Sequence, residues 1–373
     1  MKNKKNINAQ FKSICHVVIT PIDCMPRVWR EAKTALDNGY HVTVIGEGIS
    51  SFYNGIKYIG FPKTKRLKRF LIRSKRMLKA AIDSGATIIQ IHSPELLVYY
   101  RYLKRKNKIV IFDSHEFYSI QIESKKYIPI FFRKIIARIY KQIETKICKK
   151  IDCVFYPCTI SGKNYFDGRA KESIKIENYS YLMSSISERV DNKNNFVIYA
   201  GSLTEDRGIS TISDAIEQTT CDLVLCGQFS SQEYKNKILS SSKKVLYKGL
   251  VSREELFELY TKSYIGICTL LPVGQYSMLD NMSTKVYEYM QCGLPVIMSN
   301  FNCYKKWNDE YSFGICVDPT NPKEIADAIN YLINHPEEAY RMGQNGKHAI
   351  KVEFNWEVEG QKIMAVYEKL LGC

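Results

Sequence analysis

What most limits the fold of this chain is a rhythm of short apolar runs and longer segments in which apolar residues recur every three to four positions. Strands are predicted over 14–20, 41–46, 56–61, 87–91, 108–112 and 153–156, and helices over 27–38, 65–83, 95–105 and 129–150. After a polar stretch at 178–195 the rhythm restarts. Strands are predicted over 196–200, 222–226, 245–248, 265–269 and 295–298, with helices starting near Ile209, Ser252 and Thr284 and closing helices over 322–334, 336–352 and 356–371. Continuous apolar runs suit strands buried on both faces, and a helix between successive strands permits parallel pairing. The expected architecture is α/β, with two doubly wound, Rossmann-like domains facing a central cleft. The boundaries are 1–183, 184–352 and a C-terminal helix at 353–373 that packs back towards the first domain. In such sheets ligands bind beyond the carboxyl ends of the strands, so residues with chemistry to offer are sought there.

A length of 373 residues fits two domains of ordinary size. Charge is divided unevenly. Residues 1–183 hold 35 Lys and Arg against 14 Asp and Glu, whereas the remainder holds 19 against 24. A basic first half attracts phosphorylated substrates, anionic membrane or nucleic acid; no recognisable nucleic-acid-binding motif accompanies it, so nucleic acid is not an expected partner. The 12 cysteines are scattered without a C-x-x-C pair, and Cys153, Cys226 and Cys268 lie in strand-like runs. Reduced thiols are expected rather than disulfides or zinc. The apolar run near the N-terminus reads as a first strand, being too short for a signal peptide, and no run approaches the roughly 18 apolar residues of a membrane span. A cytoplasmic protein is expected.

The most specific stretch is DNMSTKVYEYMQCGLPVIMSN, residues 280–300. It reads as a short helix capped by Ser283 or Thr284, ended by a left-handed Gly293, and followed after Pro295 by a buried strand. Glu288 is the one acid in an otherwise apolar helix. It lies a turn past an N-terminus that favours anions. Lys285-x-x-Glu288-Tyr289-Met290-x-x-Gly293-x-Pro295-Val296-Ile297 resembles the K-x-x-E-Y-M-x-x-G-x-P-V-I signature of glycosyltransferase family 4, the retaining nucleotide-sugar transferases of the GT-B fold. Glu288 matches the second acid of that family's E-x7-E pair, and Asp280 stands, in shortened form, at the first.

The resemblance extends along most of the chain and implies roles for further residues. His92, in Ile91-His92-Ser93-Pro94-Glu95, and His115, in Phe112-Asp113-Ser114-His115-Glu116, follow consecutive strands. Read from the residues alone, each is either a loop cap or a cleft residue; the resemblance implies that His115 contacts the transferred sugar, and His92, with Arg27, is expected on the acceptor or phosphate side. Many family members have a Gly-Gly turn after the first strand. This chain has Asp23-Cys24-Met25-Pro26-Arg27 instead, and Arg27 is either a phosphate ligand or a solvated helix-start residue. Gly201 and Arg207-Gly208 open the second domain. The family's basic pair is reduced to Arg207, with Ser202 in the other place, so that Lys285 or Arg27 would have to compensate. Gly227 and Leu250, the latter in Tyr247-Lys248-Gly249-Leu250-Val251, match segments near the nucleotide base. Asp280 and the backbone after it, at Asn281 and Met282, would face the donor sugar and phosphates, Glu288 would hold the ribose, and Arg207 and Lys285 would neutralise the diphosphate; His115, Asp280 and Glu288 are the expected catalytic residues. No D-x-D occurs, and no metal or other cofactor is expected. Basic side chains and a helix N-terminus would take the ion's place.

Two basic segments complete the reading. Over 65–83 and over 129–150, apolar stripes at helical spacing run beside rows of Lys and Arg. Either the stripes face a sheet and the charges are solvated, or the helices attach the protein to an anionic bilayer. The resemblance implies transfer of a sugar from a nucleotide-diphosphate sugar to a lipid-linked glycan, such as an undecaprenyl-diphosphate-linked acceptor, in surface-polysaccharide (O-antigen or capsule) synthesis at the inner face of the membrane. Two rivals remain: another GT-B enzyme such as a nucleotide-sugar epimerase, and a basic nucleic-acid-binding protein.

Overall fold

The structure, a computed structural model, describes residues 12–21, 25–65, 72–125, 128–182, 195–274 and 276–372. The chain divides into two compact units. One comprises Met1–Thr159, Lys163–Asn178 and Val358–Cys373; the other comprises Ile160–Gly162 and Tyr179–Glu357.

The first unit is built on strands β1 (Ser13–Pro21), β2 (His41–Glu47), β3 (Ser51–Tyr53), β4 (Ile56–Phe61), β5 (Ile88–Ile91), β6 (Ile109–Asp113), β7 (Cys153–Tyr156) and β8 (Ser173–Lys175). They lie in the order β3-β4-β2-β1-β5-β6-β7-β8. Every pair is parallel except the β3–β4 hairpin. Strands β5 and β7 are wholly buried, as is β1 over residues 14–19, which is why these segments read as unbroken apolar runs. The three-residue edge strands β3 and β8 were not expected. Their residues are exposed or half-buried and carry no apolar run. The hairpin did leave a signal: Asn54-Gly55 turns with φ of 47° and 83°, as a tight hairpin requires.

The second unit holds β9 (Phe196–Ala200), β10 (Asp222–Cys226), β11 (Val245–Gly249), β12 (Ile265–Cys268), β13 (Val296–Ser299) and β14 (Gly314–Val317) in the order β11-β10-β9-β12-β13-β14. All are parallel. Helices cover both faces of this sheet and bury two separate apolar layers. One is formed around Tyr260, Tyr289, Met290 and Phe354, the other around Ile209, Ile212, Ile325 and Ile329. Strand β14 and the helices Tyr118–Ser124, Gln232–Ser241 and Asn302–Tyr311 were not anticipated. The segment expected as one helix over 95–105 is a 3-10 turn, Pro94–Tyr99, continued by Tyr100–Lys104.

The two basic segments have opposite surroundings. Helix Ser74–Asp83 buries Met77, Leu78 and Ala81, so its stripe faces the core. The start of that expected helix, 66–71, lies outside the described residues, as does 183–194 of the polar stretch. Helix Ile130–Cys148 instead buries Ala137, Glu144, Ile147 and Cys148. Most of its expected stripe (Phe132, Ile135, Ile136, Ile139 and Ile143) lies exposed. The expectation that a crossover helix turns its apolar stripe inward fails for this helix.

Candidate functional site

In the first unit β1 lies between β2 and β5, which places the switch in strand order at the carboxyl ends of β1 and β5. Pro26 starts helix Pro26–Asp37, and Arg27 in its first turn points into the unit. Arg27 is only 4% exposed. Its Nη2 and Nε donate to Asp113 Oδ1 and Oδ2 at 2.8 and 2.9 Å, Nε also faces Glu31 at 3.0 Å, and Nη1 donates to the Ile176 carbonyl at 2.7 Å. The guanidinium fork is therefore spent inside the protein. Arg27 is an internal brace, neither a phosphate ligand nor a solvated helix-start residue.

His92 is likewise buried, 2% exposed, and its ring stacks on His16. Burial pushes the His92 imidazole down to about 4, against the pull of Asp113. Burial also pushes the His16 imidazole well down, with His92 adding to the effect. Burial works against ionised Asp113 too, but Arg27 and His115 hold its carboxyl well below the usual range. Burial pushes the Glu31 carboxyl well up, and the neighbouring Asp113 charge adds to the effect. The row is continuous: His16 Nδ1 meets His92 Nε2 at 3.0 Å, His92 Nδ1 meets both Asp113 Oδ2 and His115 Nε2 at 3.1 Å, and His115 Nε2 lies 2.9 Å from the same carboxylate oxygen. The arrangement leaves His16 Nε2 without a hydrogen-bond partner among the described residues. It also leaves Nδ1 of His115, whose side chain is 17% exposed, as the outward nitrogen. His16–Glu31–His92 and His92–Asp113–His115 each bring three ligand atoms within 4.8 Å. Arg27, already locked on Asp113, supplies a fixed positive charge that works against a cation there. His92, expected as an acceptor-side residue, is instead the link that orients His115.

In the second unit β9 lies between β10 and β12. Gly201 follows β9 at a φ of 131°. A Cβ on Gly227 would stand 1.8 Å from the Gly201 carbonyl oxygen, so these strand ends approach each other only without side chains. The turn Glu205–Arg207 is held over the end of β12: the Leu271 N–H donates to the Asp206 carbonyl at 3.0 Å, and the Tyr276 hydroxyl donates to the Asp206 carboxylate at 3.2 Å. The Arg207 guanidinium lies 4.8 Å from the centroid of the Tyr276 ring.

Helix Thr284–Gln291 brings the second cation. Tyr289 lies across Gly266, where a Cβ would come within 2.4 Å of the ring. Its hydroxyl accepts from the Ala200 N–H at 3.2 Å. That anchor fixes the roll of the helix, so Lys285, one turn earlier, runs beside Gly201 and donates to the Tyr199 hydroxyl at 2.9 Å. Burial pushes the Lys285 ammonium down to about 8, and Arg207 adds like-charge repulsion. Neither charge is cancelled by a direct ion pair among the described residues. Ser283 is the N-cap but makes no side-chain capping bond, so the first-turn N–H groups add to the positive field. A buried, partly deprotonating lysine beside an arginine is a poor arrangement for an empty interior and a good one for an anion.

Glu288 accepts from the Tyr260 hydroxyl at 3.1 Å and faces Arg253 at 3.8 Å; its side chain is 13% exposed. Burial, reinforced by Glu288, pushes the Tyr260 phenol well up and keeps it a donor. Asp280 accepts from the Gly162 N–H at 2.6 Å and so ties the loop after β12 to Ile160–Gly162. Asn281 is half-buried; Met282 is buried, with its N–H bonded to the Tyr287 hydroxyl at 3.2 Å. Leu250, just past β11, is 77% exposed. The structure thus gathers Gly201, Gly227, Arg207 and Lys285, with Glu288 one turn along, while Asp280 bonds the Gly162 N–H and Met282 is buried. Reading the sequence missed Tyr199, Tyr260 and Tyr276 as supports in this unit and Glu31, His16 and Asp113 in the other. Only Asp113, two residues before His115, had a visible signal.

Residues 184–349 match the family described as Glycosyl transferases group 1. Spore coat protein SA of Bacillus subtilis (strain 168) is 27% identical over 188 residues, which is 46% of this chain and 48% of that protein. Sucrose-phosphate synthase from Thermosynechococcus elongatus matches with a TM-score of 0.77 at 17% identity, covering 97% of this chain and 99% of that one. Anabaena HepE in complex with UDP and glucose matches with a TM-score of 0.72 at 14% identity, covering 95% and 98%. The fold is therefore that of the GT-B glycosyltransferase structures, two parallel-sheet α/β domains. This chain spans about half the length of the first curated relatives it matches. The matched segment contains Gly201, Arg207, Gly227, Lys285 and Glu288 and leaves the histidine row outside it.

Proposed function

We propose that the protein is a retaining glycosyltransferase of the family 4 type, which moves a sugar from a nucleotide-diphosphate sugar to a lipid-linked glycan at an anionic membrane surface. The observation that carries this reading is the uncancelled pair of Lys285, beside Gly201, and Arg207, over the Tyr276 ring, in the half that matches Glycosyl transferases group 1. A diphosphate fits that pair and the helix N-terminus together, and the Glu288 carboxylate, held by Tyr260, is placed to accept from a ribose diol. HepE, of the same fold, binds UDP and glucose. In the first unit the outward nitrogen of His115 meets a sugar hydroxyl. In the reaction the bond from the anomeric carbon to the diphosphate oxygen breaks. The acceptor oxygen bonds to that carbon on the same face, and its proton passes to the leaving diphosphate. The protein orients the donor and stabilises the charge that develops on the phosphate. Lys285 and Arg207 do the work a metal does elsewhere, so catalysis proceeds in chelator. The acceptor belongs to surface-polysaccharide synthesis, and the enzyme works at the inner face of the membrane; the basic first half supports this part of the reading.

The test is a calorimetric titration of UDP, GDP, CMP and ADP with magnesium and with EDTA. One nucleoside diphosphate is expected to bind equally in both. Binding of none, or binding only with metal, would overturn the proposed donor site.

A further inference from the structure

Helix Ile130–Cys148 presents an uncovered apolar face. Ile130, Phe131, Phe132, Ile135, Ile136, Ile139 and Ile143 are between 41 and 85% exposed. The stripe from Phe132 to Ile143 keeps the spacing of a single helix face and runs about 16 Å at 1.5 Å per residue. Lys134, Arg138 and Lys141 are also exposed, three to four residues apart, and flank that stripe on the outer side. The one acid of the helix, Glu144, is buried, and it is consumed by Arg169 at 2.7 Å and Tyr140 at 3.1 Å. Every exposed charge on the helix is therefore positive. The opposite face is fixed to the unit through Ala137, Ile147 and Cys148. No helix among the described residues is long and apolar enough to cross a membrane.

We propose that this helix lies in the plane of an anionic bilayer, with Phe131, Phe132, Ile135, Ile139 and Ile143 below the headgroups and Lys134, Arg138 and Lys141 on the lipid phosphates. The inference deepens the proposed function by naming the element that meets the acceptor's membrane, and it rests on that reading for the need of a membrane. Two features favour lipid over protein. Protein interfaces are depleted in lysine at their centre, and a two-fold contact with a second copy would bring the same basic flank to its own image with no exposed acid on the helix to offset it. An apolar stripe with a cationic border is the pattern of an interfacial helix. Helix Ser74–Asp83, whose apolar side is buried, offers only charge and takes no part in insertion.

The experiment is flotation of the full chain with vesicles of phosphatidylcholine, with and without phosphatidylglycerol, at low and high salt. The wild type is expected to float with the anionic vesicles and to keep part of that binding in high salt. Phe131→Ser/Ile135→Ser/Ile139→Ser should lower partitioning about tenfold or more at both salts, while Lys134→Glu/Arg138→Glu/Lys141→Glu should lose mainly the low-salt component. All six side chains are exposed, so thermal melts of both variants should match the wild type. Wild-type-like flotation of the serine variant would overturn the proposal. So would a wild-type dimer in light scattering that the serine variant dissolves while vesicle binding is absent. Titration with UDP, GDP, CMP and ADP on the same samples separates the two readings: vesicle binding without binding of any nucleotide removes the transferase reading alone, and nucleotide binding without vesicle binding removes this one alone.

Discussion

The carboxyl ends of the two sheets hold clusters of similar residues with opposite charge bookkeeping. In the first unit the buried charge of Asp113 is answered by Arg27, and the buried His16, His92 and Glu31 complete the network. In the second unit Arg207 and Lys285 stand near each other with tyrosines, not carboxylates, as their direct partners. The first arrangement is closed. It gives rigidity and presents one group, His115, at its rim. The second is open by one anion. Burying polar groups without full compensation lowers stability, so an uncompensated pair at a strand-end switch point is a mark of ligand binding more than of folding.

The contrast breaks most visibly in stability. Asp113→Ala removes the bidentate carboxylate partner of a buried guanidinium and should cost about 3–5 kcal/mol in urea denaturation. Lys285→Met should leave the midpoint close to wild type; comparable losses in both variants would erase the distinction. Next in size is ligand binding. Glu288→Ala should weaken binding of the cognate nucleoside diphosphate by about 10- to 100-fold, the worth of hydrogen bonds to a charged group, with unchanged melting; near-normal affinity would remove the ribose role. Arg207→Ala should weaken the diphosphate about tenfold and leave the nucleoside alone unaffected. Equal losses for both ligands would place Arg207 elsewhere.

The smallest effect is that of pH. Lys285 has its folded value lowered to about 8 from an ordinary 10.5. Between these values the unfolded chain binds more protons than the folded one, so this group makes stability rise with pH from about 8 towards 10.5, and its destabilising effect is complete below 8. A bound diphosphate favours the protonated ammonium, so affinity should fall as pH rises through about 8. The same titration on Lys285→Met should be flat, and a fall that persists there would assign the effect to another group.

Much of the fold was legible because buried parallel strands must be apolar throughout; β5, β7, β9 and β12 announce themselves in that way. Strands β3 and β8, short and half-exposed, do not. The grouping of Gly201, Arg207 and Lys285, with Glu288 one turn along, was legible because these residues stand at strand ends or helix starts. Arg27 and His92 were misread for one reason. A charged or titratable residue at a strand end looks the same in sequence whether it faces solvent, ligand or a buried carboxylate, and its partner Asp113 lies 86 residues from Arg27.

The amino-acid sequence by itself determined the alternation of elements, the basic first half and the glycine and lysine positions of the second unit, since these follow from local periodicity, composition and backbone requirement. Only the tertiary structure decided which charges find partners and which apolar stripe is covered. Helices Ser74–Asp83 and Ile130–Cys148 share the same pattern of isoleucine or leucine beside lysine and arginine, yet one turns its stripe to the core and the other to the surface. Periodicity states that a helix has an apolar face; what lies against that face depends on contacts between residues far apart in the chain.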